Sequence, residues 1–378
     1  MREFIPENAE HGIVHRYPMS APFKYNGWPS VTIDDRGVLY AVASSMRLTH
    51  VCPCGKNCMW VSYDSGKTWS PSIVINDSKF DDRDTGIYYL GDGKMIVSWF
   101  AETTQDFYAG LLSYDWVGAE DHALAEGYVN MLKKLPEDEI DRGCTSFVML
   151  SDDYGVSWSD PIEVSVTSPH GPTQCRDGSI IYLGNNWRPP MGITAGCIFL
   201  IRSRDGGRTW TTEGRVPVPK DHEQWMMHEP HVIELPNGRL LGAIRVHGRP
   251  VQPENSVYTT FSDDGGKTWS EPKCVGVDGL PPHLFLHSSG AVILSYACRT
   301  AGKRAQRAVV SYDFGETWED DYLLRDSEKE INQYDLGYPC TVELPDGSLI
   351  TVYYQCAKGD WYTSVLYTKW KLRDRENG

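Results

Sequence analysis

The stretch SDDGGKTWS occupies residues 262–270 and combines turn-forming acids and glycines with a single Trp. Its pattern, Ser-x-Asp-x-Gly-x-Thr/Ser-Trp, occurs five times: SYDSGKTW (62–69), SDDYGVSW (151–158), SRDGGRTW (203–210), SDDGGKTW (262–269) and SYDFGETW (311–318). In such a turn the Asp caps backbone N–H groups, the Gly accepts a positive φ, and the Trp fills the space between neighbouring sheets. We therefore interpret these segments, the Trp-turns, as structural units of a repeat architecture.

A second repeat alternates with the Trp-turns. Each copy is an apolar strand, a turn that ends in Gly and another apolar strand, and the turn glycines are Gly37, Gly93, Gly178, Gly238, Gly290 and Gly347. Six copies in 378 residues give about 63 residues per unit, enough for the four strands of a propeller blade. We predict an all-β fold, a single six-bladed β-propeller over residues 1–378. The sixth unit has no Trp-turn, so we expect the N-terminal segment to complete its outer part.

One unit is longer than the others. Residues 104–142 lie in the second blade and contain AEDHALAEGYVNMLKKLPEDEIDR, which has a helical pattern and an acidic end. We expect this small helical insert to lie on a rim of the propeller as a lid or contact element.

Composition limits the partners. The net charge of −15 disfavours nucleic acid, because an acidic surface repels phosphates. No apolar run approaches the roughly 20 residues of a membrane span. The polar start MREFIPENAEHG lacks an apolar signal core, so we expect a cytoplasmic protein, or a secreted one if a leader has been removed. The ten Cys are expected to be reduced. The sequence indicates no cofactor and leaves the oligomeric state open.

Strand geometry brings distant residues to one mouth. If each Gly turn lies at one face, the far ends of its two strands meet at the opposite face, where the inner strands of all blades converge. The residues before the turns at this height are Trp28, Asp84, His170, Glu229, Pro281 (with His283 nearby) and Tyr338. The residues after them are Arg47, Glu102, Arg188, Arg245 and Arg299, with Tyr353, Tyr354 and Gln355 in the sixth hairpin. This concentration of ionisable groups predicts a site for an anionic ligand, since the Arg fork matches a carboxylate.

The Trp-turns and hairpins together resemble the sialidase superfamily, whose turn motif is the Asp box of the BNR repeat. The resemblance covers almost the whole chain apart from the insert and implies a six-bladed propeller. It also implies a Tyr nucleophile with a Glu partner, matched here by Tyr338 and Glu229. A neutral phenol avoids the repulsion that a substrate carboxylate would exert on an Asp or Glu nucleophile, but it needs an adjacent base.

The resemblance implies further roles. Arg245 and Arg299 match two of the three arginines that bind the substrate carboxylate in the family, and Arg188 or Arg47 is expected to assist them. Arg47 and Asp84 match positions near the sugar 4-hydroxyl. His170 and His283 are predicted to contact the substrate from neighbouring blades.

The chain departs from the family pattern at two places. Where the family has its first Arg, this sequence has Gly27-Trp28-Pro29, and Trp28 is expected to stack on a sugar face. The loop LTHVCPCGKNC (48–58), which would hold the acid/base Asp, has no carboxylate. His50 is the proton carrier within that loop, and Asp84 and His170 are the alternatives from other blades.

The same loop raises the question of a metal. His50, Cys52, Cys54 and Cys58 are candidate zinc ligands, but Cys-x-Cys-x3-Cys is not a common zinc spacing. We predict no metal and interpret the segment as a loop on the rim of the funnel whose thiols are candidates for redox sensitivity.

Taken together, these patterns predict an exo-acting glycoside hydrolase that removes a terminal acidic sugar, with sialic acid as the first choice. Two alternatives remain open: another propeller glycosidase or lyase that acts on uronic-acid glycans, and a non-catalytic glycan-binding propeller.

Overall fold

The fold was determined from a computed structural model, which describes residues 1–102, 119–186, 197–248, 255–330 and 335–373. Within these ranges the strands form six sheets, one of five strands and five of four. Each sheet is one blade, which confirms the predicted six-bladed all-β propeller. In the same ranges, no helix has the length and apolar character needed to cross a membrane.

The first two strands join blades that are completed at the end of the chain; they are β1 (Arg2–Phe4) and β2 (Glu10–His15). Blade 1 consists of β3 (Tyr25–Ile33), β4 (Leu39–Arg47), β5 (Lys56–Ser62) and β6 (Ile73–Asn76). Blade 2 consists of β7 (Asp81–Gly91), β8 (Lys94–Glu102), β9 (Ser146–Ser151) and β10 (Ile162–Val164). Blade 3 consists of β11 (Thr173–Gln174), β12 (Ile180–Asn185), β13 (Ile198–Ser203) and β14 (Thr211–Arg215).

The remaining blades follow the same order from the axis outwards. Blade 4 consists of β15 (Met227–Glu234), β16 (Leu240–His247), β17 (Asn255–Ser262) and β18 (Lys273–Asp278). Blade 5 consists of β19 (Leu280–Leu286), β20 (Val292–Cys298), β21 (Ala305–Ser311) and β22 (Asp320–Asp326). Blade 6 begins with β23 (Gly337–Glu343), β24 (Leu349–Cys356) and β25 (Thr363–Trp370). Short 3₁₀ turns cover Gln224–Met226 and Ser327–Lys329.

The N-terminal strands close the ring. Strand β2 pairs antiparallel with β25 and supplies the fourth strand of blade 6, as expected from the sequence. Strand β1 pairs in parallel with β22 and adds a fifth strand to blade 5. In blades 1 to 5 the Trp-turn connects the third strand to the fourth. Blade 6 has no Trp-turn because the chain supplies its fourth strand from the other end.

The fourth Trp-turn shows how the motif works. Oδ1 of Asp264 accepts the backbone N–H groups of Lys267 and Thr268 at 3.0 and 2.9 Å. Gly266 has φ 95°, and its carbonyl accepts the indole N–H of Trp269 at 3.1 Å. The residue before this Gly also has a positive φ in each Trp-turn, although it is Ser65, Tyr154 or Phe314 in three of them. Hydrogen bonds inside the turn therefore stabilise a backbone that non-Gly residues seldom adopt.

The core is divided among the interfaces between blades. Along β4, Leu39 and Ala41 pack towards blade 6, whereas Tyr40 and Val42 pack towards blade 2. Successive side chains of a strand point to opposite faces, so a strand that is buried on both faces must be apolar at consecutive positions. The predicted hairpins have this composition.

The insert contains two helices, α1 (Ala119–Leu132) and α2 (Glu137–Gly143), between β8 and β9. Ala125 and Tyr128 of α1 pack on Leu48, Cys52 and Cys54. The predicted helical segment therefore contacts the loop that follows β4. Its role as a lid or contact element stays a prediction, and residues 104–118 lie outside the described ranges.

We predict that Trp269→Ala is costly for the fold. Trp269 is 8% exposed and packs between blades 3 and 4. Its removal leaves a cavity, so the free energy of unfolding is expected to fall by about 3–5 kcal/mol in urea titrations. Trp361→Ala, at a residue that is 62% exposed, serves as the matched control and is expected to change it by less than about 1 kcal/mol. Equal losses in the two variants would contradict the role assigned to the Trp-turn.

Candidate active site

Register breaks in the inner strands position the candidate site. Strands β3, β7, β15 and β23 each lose register near their first residues. The residue inside each break has a positive φ: Trp28 (55°), Asp84 (53°), Glu229 (46°) and Tyr338 (55°). A bulge of this kind redirects one side chain, and a left-handed non-Gly residue is uncommon. Four inner strands therefore use the same local distortion at the same height.

Proline accompanies most of these breaks. Pro29, Pro230 and Pro339 directly follow the left-handed residues of β3, β15 and β23. Strand β19 has an equivalent break between Leu280 and His283, which also contains proline. Proline has no N–H to donate to the sheet, so it is tolerated where the ladder is already interrupted.

The redirected residues line one pocket. Its volume is about 320 Å³. It brings together these residues singled out from the sequence: Trp28, His50, Asp84, Glu102, Glu229, Arg245, Arg299 and Tyr338. The side chains come from blades 1, 2, 4, 5 and 6, so the pocket is at the centre of the ring. The hairpin geometry predicted that these residues would meet at one mouth of the propeller.

Tyr338, Glu229 and Arg245 form a chain of hydrogen bonds. The Tyr338 hydroxyl donates to Oε1 of Glu229, and Nη1 of Arg245 donates to Oε2 at 2.7 Å. Burial opposes ionisation of Glu229, but the charge and hydrogen bond of Arg245 outweigh it and lower the pKa of Glu229. Burial and the nearby Glu229 and Asp84 carboxylates raise the pKa of Tyr338 well above its ordinary value. The resting pair is thus a neutral phenol bound to a carboxylate.

Arg299 belongs to a second chain. Its Nε donates to the Leu336 carbonyl at 2.7 Å, and its Nη2 donates to the Tyr354 hydroxyl at 2.8 Å. The Tyr354 hydroxyl donates to Oδ1 of Asp335 at 2.8 Å. The guanidinium carbon of Arg299 is 5.9 Å from the centre of the Tyr338 ring. Arg299 is therefore fixed beside the phenol.

His50 reaches the same Asp335. Its Nδ1 is 3.1 Å from Oδ1 of Asp335 and 2.9 Å from the Tyr25 hydroxyl. The Tyr25 hydroxyl donates to Oδ2 of Asp335 at 2.7 Å. Two tyrosines and one histidine thus converge on a single buried carboxylate.

Asp84 stands apart from these chains. Its carboxylate makes no hydrogen bond to any residue that the structure describes. Burial raises its pKa to about 7, with the Glu229 and Glu102 carboxylates acting in the same direction and Arg83 and Arg47 opposing them. At neutral pH this carboxyl group can hold or release a proton.

Sequence reasoning missed three residues that shape the pocket. Asn185 accepts the backbone N–H of Glu229 at 2.9 Å and donates to the Met227 carbonyl at 2.9 Å, which holds the bulge of β15. Arg83 lines the pocket, with its guanidinium carbon 4.1 Å from the Trp28 ring. Asp335 precedes the Tyr338 strand by two residues, and only its loop position beside an expected site residue could have indicated it.

Two expectations for blade 1 are wrong. Arg47 is fully buried and does not line the pocket, because both oxygens of Asp81 bind it at 2.5 and 2.8 Å. Trp28 lines the pocket, but its ring lies close to the guanidinium groups of Arg83 and Arg47 at 4.1 and 4.7 Å and is only 1% exposed. The ring therefore offers no open face for stacking on a sugar.

Two histidines lie deeper than expected. His170 and His283 line a separate cavity of about 290 Å³ along the inner strands, together with His231. Burial lowers the pKa of His170 and His283 well below the ordinary value, with further lowering from neighbouring histidines. Neither residue lines the pocket of Tyr338, although the ring centres of His170 and Tyr338 are 6.5 Å apart. Their contact with a substrate stays a prediction, because the strand count fixed the height of these residues only approximately.

The remaining expectations concern Arg188 and the cysteine loop. Arg188 lies outside the described residues. Cys52 and Cys54 are buried free thiols against α1, with their Sγ atoms 3.4 Å apart. His50 instead bonds to Asp335 and Tyr25. Within this loop, His50 therefore contacts Asp335 and Tyr25, whereas Cys52 and Cys54 pack against α1.

Asp84→Asn tests the proton held in the pocket. The folded-state pKa of Asp84 is raised from 3.8 to about 7, so ionisation costs stability as the pH rises through that window. The advantage of the variant in unfolding free energy should grow between about pH 4 and pH 7 and then level off. Three pKa units correspond to about 4 kcal/mol at most. Urea titrations at pH 4.5 and 8 measure it, with the exposed Asp152→Asn as control. A difference independent of pH would contradict the raised pKa.

Comparisons with known proteins agree with this architecture. The profile of the BNR repeat-like domain family matches residues 136–349, which is more than half of the chain. A sialidase of Paraclostridium sordellii is 27% identical over 130 residues, 32% of this chain and 31% of that protein. A sialidase of Clostridium perfringens is 28% identical over 131 residues, 32% of this chain and 33% of that protein. The chain thus matches about a third of the length of these relatives.

Solved structures share the fold over nearly the whole chain. A protein of unknown function from Dyadobacter fermentans has a TM-score of 0.73 and 20% identity, covering 97% of this chain and 100% of that one. The intramolecular trans-sialidase of Ruminococcus gnavus has a TM-score of 0.65 and 17% identity, covering 95% and 97%. An α-L-arabinofuranosidase of Fusarium graminearum has a TM-score of 0.61 and 12% identity, covering 96% and 97%. The predicted resemblance to sialidases is confirmed, and the fold is shared with sialidase structures. The chain belongs to the BNR repeat-like domain family and forms a six-bladed propeller.

Proposed function

We propose that this chain is a glycoside hydrolase that releases a terminal acidic sugar, with sialic acid as the first substrate to test. The hydrogen bond from Tyr338 to a carboxylate that Arg245 neutralises carries the proposal. The phenol, its base and two arginines share one pocket that is large enough for a monosaccharide. Tyr338 would attack the anomeric carbon, and Glu229 would accept its proton.

The charge of the substrate explains why a phenol suits this reaction. The anomeric carbon of sialic acid carries a carboxylate, which would repel an anionic Asp or Glu nucleophile. Tyr338 is neutral in the resting state because its pKa is raised well above the ordinary value by burial and by Glu229. It therefore approaches the anomeric carbon without that repulsion, and the proton leaves only as the new bond forms.

Arg245 couples substrate binding to the basicity of Glu229. In the resting pocket its charge holds the pKa of Glu229 low. A substrate carboxylate that binds Arg245 would neutralise part of this charge, so the pKa of Glu229 would rise. Glu229 would then be a better base when the substrate is in place.

The similarity to curated sialidases supports the reaction class. Those proteins are named sialidases, and two of the similar structures are intramolecular trans-sialidases, from Ruminococcus gnavus and from leech. We propose the same reaction class for this chain, with sialic acid as the first substrate to test.

One observation favours a second candidate, a glycosidase for a sugar without a carboxylate on its anomeric carbon, such as a uronic acid or a furanoside. Trp28 stands at the start of the first hairpin, where the sialidase pattern has an Arg, and the other arginines already bind protein acceptors. The pocket therefore offers fewer arginines to a carboxylate on the anomeric carbon than the family pattern does. An arabinofuranosidase is also among the similar folds.

Tyr338→Phe tests the mechanism. The variant keeps the ring and loses the hydroxyl, so release of 4-methylumbelliferone from its α-sialoside should fall by about 10³-fold or more. Tyr63→Phe, at a residue that is 78% exposed, is the matched control and should keep the wild-type rate. Far-ultraviolet circular dichroism and the melting temperature should be unchanged in both variants. If the Tyr338→Phe variant kept the wild-type rate, Tyr338 would be excluded as the nucleophile.

The same assay decides between substrates. The wild type should release the fluorophore from the α-sialoside faster than from the glucuronide or the arabinofuranoside. Turnover of only the latter two would replace sialic acid as the proposed substrate by the second candidate, and binding of glycans without turnover of any glycoside would identify a binding protein.

A further inference from the structure

We propose that His50, oriented by Asp335, is the acid/base group that protonates the leaving oxygen and later activates water. The inference rests on the proposed function and adds a catalytic role for His50 and a positioning role for Asp335. It follows from the hydrogen-bond pattern around one buried carboxylate.

Asp335 fixes which nitrogen of His50 carries the proton. The Tyr25 hydroxyl donates its one proton to Oδ2 of Asp335, so its oxygen can only accept from Nδ1 of His50, 2.9 Å away. Oδ1 of Asp335 is also an acceptor, 3.1 Å from the same Nδ1. Both neighbours therefore require an Nδ1–H, which leaves the lone pair of the neutral imidazole on Nε2.

The free nitrogen belongs to a ring that lines the pocket. His50 and Tyr338 both line it, and the Trp28 ring meets the imidazole edge to face, with ring centres 5.0 Å apart. Nε2 of His50 has no hydrogen bond to any residue within the described ranges. Asp335 thus holds one side of the ring and leaves the other for a ligand, as the orienting carboxylate of an acid/base pair does.

Asp335 is anionic in the folded protein, because its pKa is lowered. Burial opposes its ionisation, but His50, the Arg299 charge and the Tyr25 hydrogen bond outweigh burial and lower its pKa. Tyr354 connects it to Arg299 through bonds of 2.8 Å on each side. An anionic Asp335 stabilises the imidazolium when His50 carries a second proton.

The charged groups that face His50 are Asp335, Arg83 and Arg299. Arg83 also donates to the His50 carbonyl at 3.2 Å. Burial lowers the pKa of His50, Asp335 raises it, and the two arginines lower it further, with a net decrease. Because the imidazolium is the form that donates, activity on substrates that need protonation should decline as the pH rises through the acidic range below the ordinary imidazole value of 6.5.

The proton balance closes over two steps. In the first, Nε2–H of the imidazolium protonates the glycosidic oxygen as the C–O bond breaks, Tyr338 forms its bond to the anomeric carbon, and Glu229 takes the phenol proton. In the second, neutral His50 takes a proton from water as water attacks the same carbon, and the departing Tyr338 recovers its proton from Glu229. No other reactant is required.

Asp84 is the rival acid, because burial raises its pKa to about 7. No described residue forms a hydrogen bond with its carboxyl group, so nothing orients its proton towards a leaving group. His50 has both an orienting carboxylate and a free nitrogen, and the geometry therefore favours His50.

The experiment compares leaving groups. An aryl leaving group such as 4-methylumbelliferone departs without protonation, whereas the sugar leaving group of a sialyl-lactose needs it. His50→Gln should lower kcat/KM by about 10²-fold or more for sialyl-lactose and by less than about 10-fold for the aryl sialoside. Asp335→Asn should give the same selective pattern with a smaller loss. His287→Gln, at the turn on the opposite face, is the matched control and should leave both rates unchanged.

Several results would overturn the inference. Equal losses on both substrates would reduce His50 and Asp335 to structural roles, and a selective loss in Asp84→Asn instead would transfer the role to Asp84. A second measurement needs no substrate: ¹⁵N–¹H correlation spectra of His-labelled enzyme should show the Nδ1–H tautomer for His50, and an Nε2–H tautomer would refute the dyad. Wild-type enzyme that cleaves neither sialoside would refute the proposed function and this role with it. Activity that survives in His50→Gln on both substrates would refute only this role.

Discussion

The candidate site depends on one backbone distortion that recurs around the axis. A straight strand would point alternate side chains into the wedges between blades, where Val31 and Ile87 pack. The bulge interrupts this alternation and places a left-handed residue at the mouth, such as Glu229 or Tyr338. Positive φ at a non-Gly residue is costly, so the surrounding sheet must impose it. The propeller supplies a rigid frame in which four such residues face one another.

Charge compensation is the second constraint on the pocket. Arg245 binds Glu229, and Arg299 is linked to Asp335 through Tyr354. A buried cation without an acceptor would be unstable, so the acids and hydroxyls of the protein hold these arginines in place. An anionic ligand must therefore exchange with these partners. In the proposed reaction, this exchange would make the protonation of the pocket depend on occupancy and would link substrate binding to activation of Glu229.

The sequence predicted the elements that rest on local patterns. The glycines of the hairpins and the Trp-turns gave the blades, and counting along strands brought Asp84, Glu229 and Tyr338 to one mouth. Counting could not show that Arg47 forms an ion pair with Asp81, or that His170 lines the separate cavity with His231 and His283. Those outcomes depend on pairings between loops and blades, and the decisive one for His50 spans 285 residues of sequence. Local patterns contain no information on such contacts.

The insert packs against the loop that carries His50. His50 lies on the loop between β4 and β5, and its carbonyl accepts hydrogen bonds from Arg47 and Arg83 at 3.0 and 3.2 Å. Helix α1 covers this loop, because Ala125 packs with Leu48, Cys52 and Cys54 on either side of His50. Asp335 fixes the imidazole from blade 6 while the helix from blade 2 supports its backbone. Hydrophobic burial on one side and a charged hydrogen bond on the other together hold the ring at a fixed place in the pocket.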